Sequence, residues 1–272
     1  EATISRLAED RFWLLSAAPA EWHDRDWLTA HAPKDGVEIQ NLTASHQCLA
    51  LAGPRSRDVL AALTREDVSD DAFPWLSCRR LRLGQIDCVA LRVSYTGELG
   101  YELHVPSEHL LGLYESLHEA GAPKTVGALA VEAMRIEKGY PHWRADLITE
   151  RTPLEAGLER FVQLGKNDFI GREALLAQQH AGPPTRLVSM AVDCDIAPAH
   201  AGDPIFSDET ILGAVTSAAF GHRVRKNLAM GYLPVDQAQP GVMVEIAILG
   251  ARYPAEVLAT PVYDPGNQRQ RQ

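Results

Sequence analysis

The segment YTGELGYELHVP, residues 95–106 of this 272-residue chain, indicates β-structure. Its second half, GYELHVP, alternates apolar and polar residues with the period of two that predicts a β-strand. The same alternation extends back to Cys78. The first half contains Gly97 and Gly100, and glycine permits backbone turns that other residues resist. Residues 78–106 therefore predict strands that are interrupted by the segment YTGELG.

The chain before this sheet predicts a mixture of strands and helices. Thr3–Ala8 and Phe12–Ala17 flank a charged turn and predict a hairpin. The spacing of apolar residues in Ala20–His31 predicts a helix whose Trp22 and Trp27 face the core. The same reasoning predicts a strand over 36–43 (GVEIQNLT) and a strand, turn and helix over 49–63.

Downstream of the sheet, helical periodicity gives way to a β-rich region. Helices are predicted over Ser107–Ala120, with Ser107 as the N-cap, and over Val126–Lys138, with further helical pieces over 152–161 and 171–179. After the linker-like AGPPT, Val, Ile, Ala and Thr dominate, and five predicted strands suit a small barrel or sandwich. We therefore predict two domains, 1–182 and 183–272, and a frayed polar tail over 267–272.

The charge, the apolar runs and the cysteines of the chain indicate which partners and which compartment to expect. Asp and Glu total 36 against 26 Lys and Arg, a net charge of −10, which disfavours nucleic acid and anionic membranes as partners. No apolar run approaches the roughly 20 residues that cross a bilayer. The four cysteines form no CxxC pair, so we expect reduced thiols and a cytoplasmic location, or the mitochondrial matrix in a eukaryote. A Cys78–Cys88 disulfide is the less favoured alternative, and the opening at Glu1 suggests a fragment with an upstream segment.

Several familiar cofactor motifs are missing from the sequence. The ten histidines lack HExxH, HxxxH or Cys–His spacing, so no metal site is expected. GxGxxG, GxxxxGK[ST] and GxSxG are also absent, so nucleotide, flavin and serine-hydrolase chemistry are not expected within this chain.

Four segments occur in an order that resembles the glycine-cleavage T-protein family. Within that family the chain resembles the C-terminal halves of dimethylglycine and sarcosine dehydrogenases, as AEDRFWLL, AEWHDRDWL and LTREDVSDDAFPW indicate. The resemblance implies an α+β fold in which a folate-binding α/β domain precedes a C-terminal β-barrel. It also implies tetrahydrofolate as cofactor. The four segments are YTGELGYELHVP, AMRIEKGYPHW, TPLEAGLERF with NDFIGREAL, and GAVTSAAFGHRVRKNLAMGYLP.

The resemblance places Glu102 at the family's folate-binding carboxylate, with Tyr95 at the same site. A carboxylate suits this task, since it can accept two charge-assisted hydrogen bonds from the N–H donors on a pterin edge. Spacing alone favours an exposed strand residue for Glu102 and a strand-end anchor for Tyr95. The nearby Glu98 fits an exposed turn better than a ligand contact.

Further site residues are also implied by the resemblance. Glu1 aligns with a catalytic Asp that manages proton and charge changes at the reacting folate nitrogen, although a frayed terminal side chain is the alternative. Thr3 and Leu15 align with positions that line the folate. Trp143 either forms a wall of the pocket or fills core.

The helix end AMRIEKGYPHW departs from the T-proteins. Val131 replaces an arginine that holds folate there, which fits the dehydrogenase subgroup. For Arg135 and Glu137 we favour a structural ion pair over a ligand contact.

The resemblance also implies a reaction and partners. A flavin (FAD) oxidoreductase domain or subunit, in a partner or a missing half, oxidises an N-methyl amine to an iminium. Tetrahydrofolate held by this chain captures the iminium, giving 5,10-methylenetetrahydrofolate. The alternatives are a glycine-cleavage aminomethyltransferase, which takes its methylene from a lipoyl carrier, a non-catalytic folate-binding protein, and an inactive fragment. Relatives of the non-catalytic kind carry KGCYxGQE, where this chain has GKNDFIGREA.

Overall fold

The computed structural model describes residues 2–121 and 124–272, which form two compact units. The first unit comprises the chain up to Val126 together with Gly266–Gln272, and the second comprises Gly127–Pro265. The predicted domain boundary after residue 182 falls inside the second unit and stays a prediction. The helices are α1 (Glu21–His31), α2 (Ser56–Leu63), α3 (Leu110–Gly121), α4 (Ala128–Glu137) and α5 (Arg172–Ala181). The strands are β1 (Thr3–Ala8), β2 (Arg11–Leu15), β3 (His46–Ala52), β4 (Cys78–Leu83), β5 (Ile86–Leu91), β6 (Gly100–Pro106), β7 (Thr185–Val192), β8 (Pro204–Ser207), β9 (Thr210–Gly221), β10 (Lys226–Pro234), β11 (Met243–Ile248) and β12 (Ala251–Val257).

A four-stranded antiparallel sheet in the order β3-β6-β5-β4 organises the first unit. Successive side chains of a strand point to opposite faces, so Leu103 and Val105 of β6 share one face while Glu102 and His104 share the other. Leu103 and Val105 are fully buried in a core that includes residues of α2 and α3. We call their side of the sheet the helix-covered face.

The predicted N-terminal hairpin is confirmed as β1 and β2. The indole of Trp13 on β2 meets the rings of His46 and His104 edge-on, with centroid distances of 5.7 and 5.4 Å. His104 shares its side of the sheet with Glu102, so the hairpin lies on the face opposite to the helices. We call this side the hairpin-covered face.

The second unit contains a closed six-stranded barrel in the order β10-β7-β12-β11-β8-β9. Closure leaves no free strand edge, which removes the unpaired backbone groups of an open sheet. Met190, Ile205 and Ile246, each at 0% exposure, belong to its apolar interior. The predicted fold class, an α/β domain followed by a β-barrel, is confirmed.

A buried charge cluster joins α4 to the barrel within the second unit. Arg135 donates from Nη1 to Oδ2 of Asp146 over 2.8 Å and to Oγ of Ser217 over 3.0 Å, and both charged side chains are almost fully buried. Glu137 bonds elsewhere, since its Oε1 accepts the amide N–H groups of residues 223 and 224. Both residues are structural, but Arg135 forms its ion pairs with Asp146 and Glu132 instead of with Glu137.

Two predicted elements differ from the structure for local reasons. Residues 36–43 are irregular, and Asn41 Oδ1 accepts the N–H of Thr43 over 2.9 Å, an alternative to strand pairing. The helical prediction over 152–161 is met only by a short 3₁₀ segment, Glu159–Phe161, and the residues before it form turns. Thr152 and Glu155 exchange hydrogen bonds as in a capping box, but Gly157 at φ +71° ends the turn.

Other expectations about burial and capping are also wrong. Trp22 and Trp27 are 65% and 50% exposed, because α1 has no buried residue and Trp27 stacks on His31 of the same helix. Ser107 opens a 3₁₀ turn and bonds the carbonyl of Ala44 instead of capping a helix.

The polar tail over 267–272 is held in place, contrary to the expectation of fraying. The guanidinium of the fully buried Arg92 donates to the carbonyls of Gln270 and Gln272, over 3.3 and 2.7 Å. Gln270 is only 3% exposed. The tail's backbone carbonyls thus pair with an arginine that would otherwise be buried without enough acceptors.

The four cysteines are free thiols. Cys78 lies opposite Leu91 and Cys88 lies opposite Leu81, so the two thiols point to opposite faces of the sheet and cannot form the alternative disulfide.

Among the described helices, none is both long and apolar enough to cross a bilayer.

Candidate functional site

Glu102 projects from the central strand of the first unit's sheet. β6 pairs with β3 on one side and β5 on the other, which sets Glu102 opposite Ala50 and Leu91. Its side chain is 36% exposed, and Oε2 lies 3.5 Å from Nε2 of His104. The carboxylate is therefore fixed by a rigid strand in partly dry surroundings, yet a ligand can reach it.

His104 lies beside Glu102 and is 8% exposed. Its Nε2 is buried and forms no hydrogen bond to the described residues, although Oε2 of Glu102 lies 3.5 Å away, at ion-pair distance. The edge-on indole of Trp13 limits movement of the ring. An unpaired buried nitrogen costs about 1–3 kcal/mol of stability, so it points to a partner outside the protein.

Cys48 completes this polar group. It lies directly opposite His104 on β3, and one ligand atom each from Cys48, Glu102 and His104 come within 4.8 Å of one another. Although Cys48 is exposed as a residue, its thiol is desolvated, and this burial together with the charge of Glu102 raises the pKa to about 12. Burial raises the pKa of the Cys88 thiol to about 12 as well, with a smaller electrostatic contribution from Cys48. Both thiols are protonated near neutral pH and are poor nucleophiles.

Tyr95 lies in the loop that leads into β6 and is 39% exposed. Gly97 in this loop has φ +80°, which only glycine adopts without strain, and Gly53 N–H donates to the carbonyl of Leu99 over 2.8 Å. The turn at Gly97 and this hydrogen bond therefore hold the loop in place directly before β6, the strand of Glu102.

The other predicted residues of the hairpin meet at its open end. Thr3 and Leu15 are cross-strand partners; Thr3 is exposed and Leu15 is half-buried. Trp13, two residues from Leu15 on the same side of β2, contacts the hairpin-covered face through His104. Glu1 lies outside the described residues, so its predicted catalytic role stays a prediction.

Glu98 is not in an exposed turn, contrary to the sequence expectation. Its side chain is 20% exposed, and Oε2 lies 3.8 Å from Nη1 of Arg269 in the C-terminal segment. The tail that holds this carboxylate is far away in sequence, so spacing near Gly97 could not show the contact.

The remaining predicted residues belong to the second unit. Trp143 is half-buried, pairs with Leu147 in a short bridge, and carries the guanidinium of Arg144 5.5 Å from its ring. Val131 is half-buried on α4. Trp143 as a wall of the folate pocket stays a prediction.

A surface cavity of about 670 Å³ also lies in the second unit. Its charged lining residues are three acidic (Asp193, Asp195, Glu256) and two basic (Arg225, Lys226), a net charge of −1. None of the predicted folate residues lines it, so its volume alone does not outweigh the chemistry of the sheet.

Sequence reasoning missed Trp13, His104 and Cys48. His104 could have been found, because the period of two along GYELHVP places it on the face of Glu102. Cys48 could not, because its place depends on the register between β3 and β6.

Comparison with known proteins gives matches along most of the chain. The family model for the GCVT N-terminal domain matches residues 1–166, and that for the glycine cleavage T-protein C-terminal barrel domain matches residues 185–264.

Similar sequences and structures agree with these family matches. Mitochondrial dimethylglycine dehydrogenase from Homo sapiens is 37% identical over 96% of this chain, and the chain spans only 31% of that protein. An aminomethyltransferase from Desulfitobacterium hafniense is 32% identical over 96% of this chain and 71% of its own length. The crystal structure of the glycine cleavage system aminomethyltransferase T from Bartonella henselae has a TM-score of 0.88 and 28% identity, covering 97% of this chain and 72% of that one.

Proposed function

Because this chain belongs to the aminomethyltransferase (glycine cleavage T-protein) family, we propose that it binds tetrahydrofolate and accepts a one-carbon unit released by oxidation of an N-methyl amine. Proteins of this family bind tetrahydrofolate. The observation that carries the proposal is the partly buried carboxylate of Glu102, held by the central strand on the hairpin-covered face.

The side chains around Glu102 fit a pterin. The carboxylate can accept two N–H groups from the pyrimidine edge, and each charge-assisted bond contributes about 1.5–3 kcal/mol. Trp13 and Tyr95 offer aromatic surface on the hairpin and on the loop before β6, and pterin rings bind well to such surfaces. We assign Thr3 and Leu15 to the folate lining, and Trp143 remains a predicted folate-binding residue.

In this proposal the residues act mostly by positioning tetrahydrofolate for the reaction. Tetrahydrofolate supplies a nucleophilic ring nitrogen that captures a methylene iminium before water hydrolyses it. Glu102 fixes the orientation of the pterin, which lowers the entropic barrier to that attack. The hairpin limits access of water, and Glu1 is our candidate for moving the proton at the reacting nitrogen.

We further propose dimethylglycine or sarcosine as the source of the one-carbon unit and 5,10-methylenetetrahydrofolate as the product. The similarity to dimethylglycine dehydrogenase along 96% of this chain supports this substrate class. The oxidation itself would be performed by an FAD-containing domain or subunit. The four free thiols support a reducing compartment, the cytoplasm or a mitochondrial matrix.

A glycine-cleavage aminomethyltransferase is the second candidate. The similarity to bacterial aminomethyltransferases over 71% of their length favours it. The two functions differ in the donor of the one-carbon unit. A lipoyl carrier protein loaded with an aminomethyl group would serve this candidate, whereas our proposal requires an iminium made by a flavin enzyme.

The test is calorimetric titration of tetrahydrofolate into the chain and its Glu102→Gln variant. We expect saturable binding that Glu102→Gln weakens about 100-fold, as the loss of charge on two hydrogen bonds predicts. Glu115→Gln, which alters an exposed glutamate on α3, is the matched control and should bind normally. Equal affinity for all three proteins would remove Glu102 from the site and overturn the proposal.

A further inference from the structure

We propose that Cys48, Glu102 and His104 form a binding site for a divalent transition metal of the zinc type, and that metal and tetrahydrofolate compete for Glu102. The metal site stands on its own geometry. Only the competition rests on the proposed function.

The strand register creates the arrangement. Glu102 and His104 are separated by one residue on β6 and therefore share a face, and Cys48 on β3 lies directly opposite His104. A tetrahedral zinc ion with bonds of about 2.0–2.3 Å requires ligand atoms roughly 3.4–3.8 Å apart. The 3.5 Å between Glu102 Oε2 and His104 Nε2 already meets this requirement. One ligand atom each of Cys48, Glu102 and His104 lie within 4.8 Å of one another, so the thiol must shift by only about 1 Å to reach the same spacing.

The unpaired nitrogen of His104 is the second, independent observation. His104 is 8% exposed, and its Nε2 is the atom that faces Glu102 without a hydrogen-bond partner among the described residues. A metal ion would satisfy this nitrogen, since neutral imidazole is a preferred ligand. The pinned ring is already oriented for that bond by Trp13.

The ligand set selects the class of metal. One sulfur, one nitrogen and one oxygen donor suit zinc and its neighbours, whereas magnesium and calcium require oxygen donors. Three protein ligands leave a fourth position for water or another ligand. The metal displaces the proton of the Cys48 thiol, so a metal–sulfur bond replaces the S–H bond and the proton passes to solvent. The thiolate and carboxylate then balance the two positive charges without any redox step.

Cobalt(II) is the probe that reports this site directly. A titration in a buffer without thiol reductants should show one equivalent of bound Co²⁺ per chain and a thiolate-to-cobalt charge-transfer band. Cys48→Ser should abolish the band, and His104→Gln should weaken binding at least about tenfold, since even indirect support of a ligand contributes that much. Zinc should displace the cobalt.

A matched cysteine variant controls for nonspecific thiol binding. Cys78 belongs to the same sheet and its Sγ bonds the carbonyl of Arg6 instead, so Cys78→Ser should keep the band unchanged. A band that Cys78→Ser removes and Cys48→Ser keeps, or no binding of cobalt by the unaltered chain, would overturn the site.

Competition is measured in a separate titration. Zinc at ten times its dissociation constant should weaken tetrahydrofolate binding about tenfold, and it should have no effect on Cys48→Ser. If tetrahydrofolate binds the metal-free chain but zinc has no effect, the competition is wrong while the proposed function stands. If cobalt binds and tetrahydrofolate does not, the proposed function fails and the metal site stands.

Discussion

Each unit contains a cluster of charged and polar side chains, and the two clusters differ in how fully their hydrogen-bonding groups are paired. In the second unit, the carboxylate of Asp146 accepts hydrogen bonds of 2.6–2.8 Å from the side chains of Arg135 and Ser217 and from the backbone N–H of His142. In the first unit, Glu102 remains partly exposed and Nε2 of His104 has no hydrogen-bond partner within the described ranges.

This difference separates structure from function. A fully paired buried charge has no capacity left for a ligand, so its contribution is to hold elements in place. An underpaired group at an accessible site carries an energetic cost that a ligand can remove. We therefore expect substitutions in the Asp146 cluster to reduce stability, and those in the Glu102 cluster to reduce binding.

The largest effect should come from Asp146→Ala. It removes the fully buried carboxylate, so Arg135 keeps only the partly exposed Glu132, and the donors of His142 and Ser217 lose their acceptor, which together costs about 3–5 kcal/mol of unfolding free energy. Chemical denaturation followed by circular dichroism measures this loss. The control is Glu159→Ala, which breaks a 2.9 Å ion pair with Arg186 in which both side chains are 41% exposed, and should cost less than about 1 kcal/mol. Similar losses for both variants would refute the distinction.

The contribution of Glu155 to stability should depend on pH. Burial raises its pKa, but hydrogen bonds from Thr185, the Thr152 N–H and Arg151 outweigh this and lower it to about 2 from 4.5. A lowered folded-state pKa adds stability above the unfolded pKa and loses it as pH falls through the folded one. Above pH 4.5 the unaltered chain should have an unfolding free energy roughly 3 kcal/mol higher than that of Glu155→Gln. This difference should disappear as the pH approaches 2. A gap independent of pH would contradict this.

The smallest effect on stability should come from His104→Leu. Replacing an unpaired buried imidazole by an apolar side chain of similar size should be neutral or stabilise the chain by up to about 1 kcal/mol. Chemical denaturation followed by circular dichroism measures this change in unfolding free energy. A loss of more than about 2 kcal/mol would mean that His104 is structural, and the contrast between the clusters would fail.

Much of the fold is predictable from local patterns. The period of two in GYELHVP predicts β6, and the Val- and Ile-rich region after residue 185 predicts a barrel or sandwich. Local patterns fail at Asn41, whose side chain bonds nearby backbone, and at Gly157, whose positive φ ends the turn, because hydrophobic periodicity does not register either feature.

The candidate site is predictable only in part. Family resemblance points to Glu102, and alternation along β6 could add His104. Cys48 and Trp13 reach the same face through strand register and hairpin placement, which are tertiary facts. The held tail likewise depends on Arg92, whose partners lie far along the chain.

Unfolding of the chain and of Glu102→Gln, each measured with and without tetrahydrofolate, tests whether Glu102 holds folate. We predict equal stability without ligand. At a concentration 100 times the dissociation constant, ligand should stabilise the unaltered chain by about 2.7 kcal/mol and Glu102→Gln by much less. If Glu102→Gln is destabilised without ligand yet gains the same stabilisation with it, Glu102 is a structural residue and the folate site lies elsewhere.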